Sequence, residues 1–81
     1  MGRLRVMSFL GDRTVVWDRE RAEVGDPEAI QAVREAERIL EEQLRKVATA
    51  FRVDPGAPAR RIDCFDPDAR QIVTVPRVVG G

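Results

Sequence analysis

Cys64 is the only thiol among the 81 residues, and no histidine accompanies it. A serine or cysteine nucleophile needs a neighbouring base, so hydrolysis by the usual triads is excluded. One cysteine without histidine also falls short of an ordinary zinc set. Gly11 and Gly25 stand apart and make no phosphate-cradling loop. Asp63, Asp66 and Asp68 form a small acidic cluster that can hold a hard cation. They lack the dense alternation and following glutamate of a calcium loop, and an aspartate beside Pro67 is common turn chemistry, so the turn is the preferred reading. Cys64 lies between Ile62 and Phe65 in an expected strand, where a small buried hydrophobe is favoured over a reactive thiol. Trp17, the single tryptophan, is expected to cap the sheet edge or the helix in preference to anchoring a partner. Arg60 and Arg61, with Arg52 and Arg70 on neighbouring strands, can form a basic face for RNA or an acidic protein. Without interleaved aromatics for stacking, a solvated strand face is the better reading.

The segment Arg77-Val78-Val79-Gly80-Gly81 offers a different chemistry. Five extended residues reach about 17 Å from the body of a domain. Two glycines have no Cβ, so they thread a narrow channel and leave the carboxylate of Gly81 open to adenylation and then to attack. The bland alternative is a frayed end.

Charge and composition narrow the remaining classes. Fourteen basic residues balance fourteen acidic ones, so no global field draws the chain to nucleic acid or an anionic membrane. With 43% hydrophobic and 35% charged residues the chain is globular rather than disordered. Lys46 is the only lysine beside thirteen arginines, and asparagine is absent, a bias that fits a GC-rich or thermophilic bacterial source. The amino-terminal residues do not resemble a signal peptide, and no apolar run approaches the roughly 20 residues of a membrane helix. A cytoplasmic protein is expected.

These residues need elements to position them. Alternation over residues 3–10 predicts a strand with Leu4, Val6 and Ser8 on one face, and Thr14–Trp17 predicts a second, joined through Gly11-Asp12-Arg13 as a hairpin. Residues 18–25 are charged without a period and read as a loop. Asp26-Pro27-Glu28 is a strong helix start, with a capping carboxylate, a proline at the first helical position and an acid at the positive end of the dipole. Ile30, Val33, Ala36, Leu40 and Leu44 then recur on one face, with Ile39 flanking. Glu41–Arg45 and Glu42–Lys46 have the favourable acid-before-base spacing. No glycine or proline marks the helix end. A stop near Lys46 followed by a strand over 49–54 is preferred to a helix running on to Phe51. Asp54–Pro58 is a loop, residues 61–65 and 71–75 are strands, and Asp66–Arg70 between them reads as a type I turn with Pro67 at its second position. Pro76 closes the last strand.

The order strand, strand, helix, strand, strand, strand is that of an α+β β-grasp fold, one long helix packed on a four- to five-stranded mixed sheet. Together with Arg77 and Gly80-Gly81, it makes the chain resemble the prokaryotic ubiquitin-like β-grasp modifiers and the related sulfur carriers. The resemblance implies a domain over residues 1–76 and a flexible tail over 77–81. It implies Gly80 and Gly81 as the conjugation site, and Arg77 and Val79 as residues read by the activating machinery. It departs in having a helix of about 20 residues, longer than usual for such folds, and a valine at Val79.

Three functions follow. In the first the chain is a protein modifier: an activating enzyme adenylates Gly81 with ATP, the acyl group passes to a cysteine, and a target amine receives it. Its partners are that enzyme, a conjugating enzyme and a deconjugating protease. The chain itself catalyses nothing, holds no cofactor or metal, and is expected as a monomer. In the second, Gly81 becomes a thiocarboxylate sulfur donor. In the third, the domain is a non-conjugated interaction module or small accessory subunit that binds through its sheet face or Trp17.

Overall fold

Alternation in the first strand survives folding: Leu4 and Val6 are buried while Arg3 and Arg5 are exposed. A computed structural model of the chain describes residues 1–7, 11–46 and 48–76. Within them the elements are β1 (Gly2–Val6), β2 (Arg13–Trp17), α1 (Arg19–Glu23), α2 (Pro27–Arg45), β3 (Ala48–Val53), β4 (Arg60–Ile62) and β5 (Gln71–Pro76). The strands form one mixed sheet in the order β2-β1-β5-β3-β4. β1 and β5 run parallel with Leu4 opposite Ile72 and Val6 opposite Thr74. The other pairings are antiparallel. The chain is thus a small α+β domain with one long helix on a mixed five-stranded sheet, an arrangement compatible with a β-grasp.

The core lies between α2 and one sheet face. Leu4, Val6, Trp17, Ala50 and Ile72 from the strands meet Ala36, Ile39 and Leu40 from α2, with Val15, Val33, Leu44 and Ile62 half-buried around them. Leu4, Leu40 and Ile72 are each fully buried, and such a side chain contributes about 1.5–3 kcal/mol. The expected helix face is therefore rotated slightly: Ile39 belongs to the core, and Ile30 is only half-buried. Small residues, Ala36 and Ala50, fill part of the helix–sheet contact layer. On β3 the larger Phe51 and Val53 consequently occupy the opposite face. The hydroxyl of Thr74, buried at the centre of the sheet, has no hydrogen-bond partner among the described residues.

The helix start is as expected. Asp26 accepts from the Glu28 N–H at 3.0 Å and Pro27 takes the first helical position. The helix stops at Arg45, where the Lys46 N–H reaches the carbonyls of Glu42 and Gln43 at 3.2 and 3.1 Å. The preferred stop near Lys46 holds because the next residues pair along the whole of β5, from Ala48 opposite Pro76 to Val53 opposite Gln71. Glu42–Lys46 forms at 3.5 Å; among the described residues Glu41 and Arg45 form no such pair.

Three expectations need correction. Residues 18–25 are not simply a loop: Asp18 accepts from the Arg21 N–H at 3.3 Å and starts the single turn of α1, which Arg19–Glu23 braces at 2.9 Å. That turn buries no residue, so it leaves no apolar period to read. β1 spans Gly2–Val6, and the end of the expected first strand, residues 8–10, lies outside the described residues. The fourth strand spans Arg60–Ile62 and not 61–65, because it pairs only with Ala50–Arg52. Cys64 is consequently exposed, not a buried hydrophobe.

Candidate functional site

The β4–β5 connection lies over the core side of the sheet and absorbs several residues that looked free for chemistry. The Ala69 N–H bonds to the Asp66 carbonyl at 3.2 Å, and the Asp68 N–H bonds to the Asp66 carboxylate at 2.9 Å. This is the turn expected around Pro67. Asp68 also meets Arg19 at 2.6 Å. Ala69 is buried and Phe65 packs against the core.

Trp17 ends the edge strand β2 with its ring in the core shared with α2. It is 1% exposed and donates from Nε1 to the Pro67 carbonyl at 3.1 Å. Its ring meets Phe65 edge-on, with centroids 5.0 Å apart. Both ends of its amphipathic side chain are thus satisfied inside the protein.

The four arginines do not form one face. Alternation separates Arg52 and Arg60, which are opposite one another, from Arg61, which is opposite Phe51. Arg52 donates to Asp54 from Nε at 2.6 Å and also binds Asp66. The bond from Arg52, then that from the Arg70 N–H at 3.2 Å, hold the Asp54 carboxyl below the usual carboxylate range. The Asp54 bond in turn pushes the Arg52 guanidinium up. Arg52 therefore clamps the ends of two loops together.

What the topology leaves open is the sheet face away from α2. Register places Val16, Phe51, Val53, Val73 and Val75 on it, beside Arg3, Arg5 and Arg61. Val16 is 47% exposed and Val75 38%. The five strands together contain six arginines and no aspartate or glutamate. Arg5 is paired at 2.8 Å with Asp12, which lies in the β1–β2 turn. The face is therefore apolar at its centre, with Phe51 among the valines, and basic around it. At one end, where β1 and β5 begin and β3 stops, lies an open recess of about 510 Å³ with Arg3, Val16, Val53, Asp54, Arg70 and Gln71 around it.

Sequence reading named a sheet face as a binding surface but set Arg52, Arg60, Arg61 and Arg70 on it, not this apolar centre. The signal was present: β3 and β5 carry apolar residues at consecutive positions, so one long helix leaves one of the two sets uncovered.

The residues expected from the resemblance to act in conjugation, Arg77, Val79, Gly80 and Gly81, lie outside the described residues. The described chain leads to them through Pro76, which ends β5 opposite Ala48. Among the described residues no group of three or more candidate ligands is placed to hold a metal ion, and no helix is long and apolar enough to cross a membrane. Comparison with protein-family models, curated proteins and solved structures finds no match to this chain.

Proposed function

We propose that the chain is a ubiquitin-like modifier of the β-grasp class, whose Gly81 carboxyl group is adenylated by an activating enzyme and passed to an amine on a target protein. The observation that carries this reading is the sheet order β2-β1-β5-β3-β4 with β1 and β5 parallel. A central strand, supported on both sides, ends at Pro76, and Arg77–Gly81, the segment this reading assigns to the reaction, follow it in the chain. In the reaction, the Gly81 carboxylate attacks the α-phosphorus of ATP and releases pyrophosphate. A cysteine of the enzyme then displaces AMP to give a thioester, and the target amine displaces the thiol to leave an amide. The domain supplies recognition, and Gly80 and Gly81 supply access. A conjugating enzyme and a deconjugating protease complete the partner set.

Trypsin provides a direct assay, because it cleaves after Arg77 and leaves Val-Val-Gly-Gly attached to any modified amine. With amino-terminally tagged protein expressed in its source cell, mass spectrometry should find that branch on target lysines. Gly81→Ala should abolish the branch while leaving the thermal midpoint within about 2 °C. Branches recovered equally from the variant, or none from the wild type whose intact mass shows Gly81 as the terminal residue, would reject the proposal.

A non-conjugated binding module is favoured by a different observation, the uncovered apolar and basic sheet face. Deleting Gly80 and Gly81 separates the two: a module keeps its binding and its activity in the cell.

A further inference from the structure

The recess at the start of β5 joins two features that ordinary strand faces lack. Its floor is aliphatic, from Val16, Val53 and Pro55. Arg3 and Arg70 both line it, and their backbones are joined by a 3.0 Å bond from the Arg3 N–H to the Arg70 carbonyl. Neither guanidinium has an ion pair among the described residues, although seven other basic residues do. The one carboxylate at the recess, Asp54, is engaged at both oxygens, by Arg52 and by the Arg70 N–H. Two cations thus stand over an apolar floor with no acid of their own.

We propose that this recess binds an acidic segment of another protein, with a carboxylate on Arg3 and Arg70 and an adjoining aliphatic side chain on Val16 and Val53. Guanidinium and carboxylate match in geometry as well as charge. The aliphatic floor contributes what two exposed ion pairs do not supply by themselves. Nucleic acid fits less well, because the recess has no aromatic platform for a base and the chain has zero net charge. The site lies at the start of β5, away from its last residue Pro76, and its test does not depend on any reaction at Gly81.

Nuclear magnetic resonance titration of isotope-labelled full-length protein tests it. The probe is an acetylated, amidated peptide with a Leu-Val-Leu centre flanked on each side by two glutamates. Comparators are the same peptide with serine replacing leucine and a mixed-sequence single-stranded RNA of equal charge. The peptide should give saturable amide shifts concentrated at Arg3, Val16, Val53 and Gln71, and the serine version should bind more weakly. Arg3→Glu with Arg70→Glu should weaken binding by about tenfold or more. Arg34→Glu with Arg45→Glu changes net charge equally on the α2 surface and should alter binding by less than about twofold. If the double reversal perturbs folding, Arg3→Gln with Arg70→Gln replaces it, with the same loss expected. Absent shifts, shifts centred elsewhere, equal binding of RNA or the serine peptide, or indifference to loss of both arginines would each overturn the proposal.

Discussion

A methyl group on Gly2 would sit 2.2 Å from Cε2 of Trp17 and 2.3 Å from Cζ2. The two residues are directly opposite on β1 and β2, and the indole lies flush with the glycine while its Nε1 is held by Pro67. The ring cannot retreat without losing that bond, so Gly2→Ala should cost about 1–3 kcal/mol, the range for overpacking a filled site. Urea titration measures it. In a Trp17→Val background the cost of Gly2→Ala should shrink to a few tenths of a kcal/mol, and an unchanged cost would mean that the indole is not what excludes the methyl. None of this was legible in the sequence. Gly2 and Trp17 are fifteen positions apart, and their meeting depends on hairpin register. Cys64 escaped for a related reason. Its apolar neighbours suggested burial, but a three-residue β4 ends before reaching it.

Among the elements, the long helix was the easiest to read because capping, proline placement and apolar period agreed. The turn of α1 was not readable, since a single exposed turn carries capping but no period. For β3 the strand was legible but not which side of it meets the helix: packing selects Ala50, and Phe51 and Val53 take the other face. The loop elements are held by Arg52, and acid exposes that clamp. Because the Asp54 carboxyl is held below its ordinary value, its ionised form contributes stability at neutral pH. That contribution begins to fade as pH falls below about 4 and is gone once pH passes the folded-state value. Asp54→Asn should therefore be less stable than wild type at pH 7, and the difference should narrow steadily as the buffer is taken down through the carboxylate range. A gap independent of pH would show that Asp54 acts by shape and not by charge. Arg52→Met would serve as the complementary change on the cationic side.

For the molecule as a whole, the core is one layer shared by α2 and the sheet, so its parts should not melt separately. Trp17 reports from the β2 edge, and backbone circular dichroism weights α2. Leu40→Ala should cost about 2–5 kcal/mol through the cavity it opens, and the indole and helix signals should move together. Transitions that separate would contradict a single cooperative core. The element order by itself implies one long helix on a mixed sheet. The open face could not be inferred in the same way, because which apolar set of β3 and β5 meets the helix is decided by packing volume rather than by pattern.

β5 is the middle strand of the sheet and the last of the five to be synthesised. Until it arrives, the β1–β2 hairpin and the β3–β4 hairpin have no partner between them, and each presents a bare strand edge beside α2. Products that terminate just before Gln71 therefore hold two half-sheets without the piece that joins them. Such fragments are natural clients for chaperones and proteases. Nascent-chain quality control would then see this small domain as all or nothing.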